Sequence, residues 1–265
     1  MPPAKKRTRR YDPAKVRSAV LAQFGHVREA VRTLTPEQLA RPTRLGDWTV
    51  RELAVHLTTA LGMLETRLAE PQPLKQELAL LDWASATETK KAEVADHARE
   101  LAASVDDLDA LFEERATRTA ELFVTTADER LLPTRFGAMT FADVLVTRTV
   151  ELTVHTDDLN HALPGLAVPH DRQALATCTR LLADALAAKA PGGSVEVRIP
   201  PYAVVQCVAG PKHTRGTPPN VVETDPLTWV RLATGRTGWA EALDAAEVAA
   251  SGERADLAAV LPVMS

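Results

Sequence analysis

Three ionisable side chains occupy places where two helices should be apolar, and that conflict constrains this chain more than any other feature. Glu151 and His155 stand four residues apart in Glu151-Leu152-Thr153-Val154-His155-Thr156-Asp157-Asp158, so they share one helical face, with Asp158 three further on. They flank the apolar heptad Leu145, Leu152, Leu159. His56 lies on a second apolar stripe, Leu53, Leu57, Ala60, Leu64. Burying such groups singly costs on the order of several kcal/mol each. One arrangement satisfies all three: the helices face each other and the groups share a divalent ion. Two imidazoles and a carboxylate form the protein part of a zinc-type site that keeps one position open, which points to chemistry rather than scaffolding. The purely structural alternative is a hydrogen-bonded core histidine and a Glu151–Arg148 ion pair, since Glu-x-x-x-His is a common spacing.

The first two-thirds of the chain reads as helical. Residues 12–33 place Val16, Val20, Leu21, Phe24, Val27, Ala30 and Val31 at helical spacing. Thr35-Pro36-Glu37-Gln38 and Thr49-Val50-Arg51-Glu52 are capping boxes, the second opening a helix to about Leu68 that Pro71 and Pro73 end. An insert at 70–88 holds a short helix over 74–84. Residues 88–124 predict one long helix with an acidic outer face, 127–139 a loop, and Thr140-Phe141-Ala142-Asp143 the cap of a helix to Ala162. A helix over 171–189 follows. The character changes at Pro191-Gly192-Gly193. Strands are expected at 194–199, 202–208 and 221–224, then a helix from Asp225-Pro226 that Gly235 stops. The expected fold class is therefore α+β, divided into a charged, disordered tail over 1–11, a helical bundle over 12–165, a connecting helix over 166–190 and a small α+β unit over 191–265.

The run Gly46-Asp47-Trp48-Thr49-Val50-Arg51-Glu52-Leu53-Ala54-Val55-His56 resembles the first metal motif of the DinB-like four-helix bundles. Glu151-Leu152-x-x-His155-x-x-Asp158 is similar to the second motif of their mycothiol-dependent maleylpyruvate isomerase branch. The resemblance covers roughly residues 12–165, with bundle helices at 12–33, 50–68, 88–124 and 140–162. It implies a metal, usually zinc, held by His56, Glu151 and His155, and mycothiol as the thiol cosubstrate. The C-terminal part, through Trp229-x-x-Leu232-Ala233-Thr234-Gly235-Arg236 and its order of elements, resembles the sterol-carrier-protein-like domain that follows the bundle in that branch. The activity implied is a zinc-dependent isomerase or S-transferase in which a low-molecular-weight thiol attacks a small-molecule electrophile. A metal-activated water, hence hydrolysis, is the other enzyme chemistry such a site supports. A reading from a different class is a carrier of an apolar ligand, with Val195, Val197, Ile199, Val204 and Val205 lining a tunnel and a vestigial metal site.

Around these ligands, Asp158 is placed to orient a ligand or contact substrate. Trp48 is expected to pack beneath the helix that carries His56. Arg236, between Gly235 and Thr237, is the candidate to pair with a substrate carboxylate, with Arg215 as the fallback. His26 reads as structural, and His97, His161, His170 and His213 as surface residues. Cys178 and Cys207 read as small buried apolar residues, and two isolated thiols suit a reducing cytoplasm. A net charge of -4 argues against a general nucleic-acid binder. No apolar run is long enough to span a bilayer, and none after the basic first ten residues resembles a signal core, which argues against secretion. Arginine outnumbers lysine 23 to 8, a bias that suits a high-GC genome such as an actinobacterium's and hence mycothiol.

Overall fold

The computed structural model describes residues 9–86, 91–211 and 218–264. The chain folds as a helical bundle followed by a small sheet-containing unit, and a single hydrophobic core runs through both. The bundle is built from α1 (Pro13–Val31), α3 (Val50–Ala69), α6 (Leu108–Thr125) and α7 (Phe141–Ala162), each packed on two of the others. Asp12 caps α1 by accepting from the backbone of Ala14 and Lys15, with Pro13 at the first turn. Val16, Val20, Phe24, Val27 and Val31 all turn inward from that helix. The one-turn α2 (Pro36–Leu39) has its full capping box.

The single long helix expected over 88–124 is two helices. α5 (Lys91–Ser104) flanks α3, and α6 alone enters the bundle. Asp107 breaks the run by accepting from Ala110 N at 2.9 Å, a fresh N-cap. The Arg51 guanidinium closes the end of α5 by donating to the carbonyls of Ala102 and Val105. The loop expected over 127–139 contains a hairpin, β1 (Leu131–Thr134) and β2 (Gly137–Thr140), in which Pro133 pairs with Ala138. Pro133 is tolerated because the pair has only edges. The insert docks on it: Glu77 and Leu78 both donate backbone N–H to Ala138 O. Gly137 permits the approach, with φ at +130° and the Glu77 and Leu78 side chains against the space a Cβ would take. Of the helix expected over 74–84, only α4 (Leu80–Ala86) forms, anchored by the buried Trp83.

α8 (Arg172–Lys189) packs on α1 and α7 on one side and on the sheet unit on the other. The sheet order is β4 (Ala203–Cys207), β3 (Val195–Ile199), β5 (Val221–Thr224), β6 (Val248–Ser251), with β3 and β5 parallel and the outer pairs antiparallel. Val195, Val197 and Ile199 alternate inward and belong to the core, while Val204 is exposed and Val205 borders a groove between the two units. α9 (Pro226–Ala233) and α10 (Trp239–Asp244) complete the unit, with Trp229 Nε1 donating to Thr179 O on α8. No helix among the described residues is long and apolar enough to cross a membrane.

Of the expected tail, residues 1–8 lie outside the described residues. Arg9 pairs with Asp184 at 2.9 Å, and Tyr11 packs on the core edge. The Arg9 and Asp184 side chains remain 33 % and 21 % exposed, so the pair is worth at most about 1 kcal/mol. A chain starting at Tyr11 should therefore melt no more than about 4 °C below the full chain. A drop well beyond that in a thermal scan would mean that the first ten residues dock on the body.

Candidate metal centre

Local sequence sets both helices that carry the site. Thr49 and Glu52 cap α3 reciprocally, with Glu52 N donating to Thr49 Oγ1 and Thr49 N to Glu52 Oε2. Trp48, just before the cap, is buried and meets the His56 ring edge-on with centroids 5.1 Å apart. Thr140 caps α7 through Asp143 N. The buried Leu145, Leu152 and Leu159 seat α7, and α3 packs across it. His56, Glu151 and His155 then converge, their donor atoms all within 4.8 Å of one another. His56 Nε2 and His155 Nε2 each lie 3.5 Å from Glu151 Oε2. That separation is long for a hydrogen bond, yet it matches the edge of a tetrahedron, about 3.4 Å, whose corners lie 2.0–2.2 Å from a zinc ion. The donor set therefore fits a zinc-type cation.

Asp158 fixes the tautomer. Its Oδ2 accepts from His155 Nδ1 at 2.8 Å, which directs Nε2 of that ring at the Glu151 carboxylate. Burial works to raise the Glu151 pKa, but His155, His56 and the Arg148 charge outweigh it and hold the carboxyl well below its ordinary range. Burial pushes His56 down, keeping it a neutral donor. For His155, burial is overcome by Asp158 and Glu151, which hold its pKa above the ordinary value.

Behind Asp158 lies a network that the sequence did not announce. Arg44, in the loop before α3, donates to Asp158 Oδ1 and Asp157 Oδ2, both at 2.6 Å. Arg231 on α9 grips Asp157 at 2.6 Å, and Arg236 donates to Asp158 Oδ2 at 3.0 Å. Two carboxylates of α7 thus tie the bundle to the C-terminal unit. Asp157 and Arg44 had no spacing rule to reveal them; two adjacent aspartates at the end of an apolar helix were the only available signal. Arg236, expected to pair with a substrate carboxylate, has its fork engaged with Asp158 and Thr234 O. Its free edge faces a separate cavity of about 990 Å³ bordered by Arg44, Trp239 and Glu241. Arg215 and His213 lie outside the described residues.

On the other side, His56 and Glu151 open into a cavity of about 530 Å³. Trp83, Met139 and Leu101 supply apolar wall, and Arg148 and Arg135 supply charge. His97 is exposed and borders this cavity; His161 is exposed. His170, expected at the surface, has both ring nitrogens buried without a hydrogen-bond partner among the described residues. The turn that carries it is stitched to α1, because Gln23 donates to Pro169 O and accepts from Asp171 N. His26 likewise has a buried Nδ1 with no hydrogen-bond partner among the described residues. Cys178 and Cys207 are both buried.

Comparison with known proteins gives two family matches. Residues 20–160 match the mycothiol maleylpyruvate isomerase N-terminal domain, and residues 171–263 match the bacterial SCP ortholog family. Among solved structures, a crystal structure of mycothiol-dependent maleylpyruvate isomerase aligns with a TM-score of 0.55 at 16 % identity, covering 86 % of this chain and 90 % of that one. A crystal structure of a His-to-Ala mutant of such an isomerase aligns with a TM-score of 0.57 at 16 % identity, covering 91 % and 93 %. These likenesses show a shared fold along nearly the whole chain. No curated protein sequence matches.

Proposed function

Because the chain belongs to the mycothiol maleylpyruvate isomerase N-terminal domain family, with an SCP-like domain after it, we propose that it is a divalent-metal enzyme that presents a low-molecular-weight thiol to a small electrophile. The carrying observation is the convergence of His56, Glu151 and His155, with both imidazole Nε2 atoms 3.5 Å from Glu151 Oε2 and His155 held by Asp158. A zinc-type ion bound there supplies a Lewis-acidic open position that lowers the proton affinity of a thiol sulfur. Zinc is the native ion in this reading, and mycothiol the thiol.

The chain's own residues hold and orient. Glu151 contributes the negative charge that keeps a dication in place. Asp158 holds the Nδ1 proton of His155, and Arg44 and Arg236 hold Asp158 in turn. Trp48 fixes the His56 ring. The apolar wall at Trp83, Met139 and Leu101 limits water beside the reacting carbon. In the isomerase reaction, the thiolate adds to the double bond of a cis-configured acid such as maleylpyruvate, and its π electrons shift toward the conjugated carbonyl. Rotation about the new single bond and expulsion of the thiol give the trans product. Transfer of the thiol to another electrophile uses the same first step.

The C-terminal strands do not favour a carrier role. Val195, Val197 and Ile199 form ordinary core beneath α8, and of the five apolar strand positions only Val204 and Val205 border a groove. The test is elemental analysis followed by incubation with mycothiol and maleylpyruvate, then with a panel of electrophiles. About one zinc per chain and mycothiol-dependent turnover are expected. A protein free of stoichiometric metal, or turnover indifferent to the thiol, overturns the reading.

A further inference from the structure

We propose that Arg148 anchors a carboxylate of the electrophilic substrate in the cavity beside His56 and Glu151; this assignment rests on the metal–thiol reading above. Arg148 lies on α7, three residues before Glu151, and its side chain is 13 % exposed. Other deep-set arginines have close carboxylates: Arg44 at 2.6 Å, Arg17 at 2.6 Å and Arg236 at 3.0 Å. Among the described residues, the carboxylate nearest to Arg148 is Glu151, 4.0 Å away at the outer limit of an ion pair. Glu151 itself is claimed by the two histidines, so it neutralises Arg148 poorly.

The guanidinium is nevertheless held in one pose. Its Nε and Nη2 donate to Thr147 Oγ1 at 3.2 and 3.0 Å, while the Thr147 hydroxyl donates to Val144 O at 2.7 Å. No hydrogen bond from Nη1 to a described residue forms, and the side chain lines the cavity. Arg135 borders the same cavity. A fixed, poorly neutralised cation beside an apolar wall is the recognition chemistry of a carboxylate on a carbon body. Glu151 also sets the reach. One of its oxygens faces the histidines and the other faces Arg148, so the guanidinium and the two imidazoles stand on opposite oxygens of one carboxylate. The substrate class is thus an organic acid whose attacked carbon is within a few bonds of a carboxylate.

Calorimetric titration of zinc-loaded full-length protein with succinate, and with succinamide as the uncharged match, tests this. The wild type should bind succinate, Arg148→Gln at least tenfold more weakly, and Arg148→Lys in between, because lysine keeps the charge but loses the fork. Succinamide affinity should be unchanged by either substitution. Equal succinate affinity in wild type and Arg148→Gln, or no succinate binding by the wild type, overturns the assignment. If Arg148→Gln does not fold, Arg148→Lys carries the test, and wild-type affinity in that variant overturns the assignment. The same titrations on metal-free protein separate the two readings. Absence of stoichiometric zinc in the purified wild type defeats the metal centre, whereas loss of succinate binding on substituting Arg148 in metal-free protein still upholds the anchor.

Discussion

His155→Ala, purified beside the wild type, should bind zinc more than about 100-fold more weakly, because losing even an outer partner of a metal ligand costs about 10–100-fold. The substitution removes one of three converging donor atoms and leaves the other two with no third protein partner among the described residues. Glu151→Gln should weaken zinc strongly as well, for a different reason. The amide preserves the shape but removes the charge of a carboxylate held firmly ionised by two histidines and Arg148. Neither change should unfold α7, whose seat in the core is made by Leu145, Leu152 and Leu159. Elemental analysis and a competitive chelator titration measure both. Wild-type zinc content in His155→Ala would remove the proposed centre; wild-type affinity in Glu151→Gln would remove Glu151 from it.

What could be read in advance, and what could not, follows from the range of the forces involved. His56, Glu151, His155 and Asp158 were legible because helical periodicity places them on core-facing stripes, where an ionisable group demands a partner. The caps of α3, α7 and α9 were legible because Thr49, Thr140 and Asp225 act on backbone within three residues of themselves. The break between α5 and α6 was not seen, because the apolar pattern continues through it and the capping role of Asp107 competes with ordinary helical placement. The hairpin at Leu131–Thr140 was hidden by Pro133, which demotes a strand unless the strand lies at an edge. Arg44 and Arg148 were beyond periodicity altogether. The partners of Arg44 lie 113 and 114 residues away, and the significance of Arg148 is a poorly matched charge, visible only once the cavity around it exists.

Asp158→Ala should destabilise the metal-free protein by about 3–5 kcal/mol, the cost of leaving buried charges without their partner. Asp158 is 0 % exposed and accepts from Arg44, Arg236 and His155, which come from the loop before α3, the C-terminal unit and its own helix. Alanine leaves Arg236 with only the Thr234 carbonyl. Arg44 retains Asp157, which places the loss toward the lower end of that range. Asp157→Ala provides the comparison: it frees Arg231 but leaves the His155 tautomer lock intact. The two variants should therefore both unfold at lower urea, while only Asp158→Ala also loses about 10–100-fold in zinc affinity. Working without metal matters, because bound zinc stabilises the folded state in proportion to its affinity and would mix the two effects. If Asp158→Ala unfolds within about 1 kcal/mol of the wild type, the range left to an exposed pair, the network contributes no more than a surface ion pair. If both variants keep native zinc affinity, Asp158 does not orient His155 for a metal.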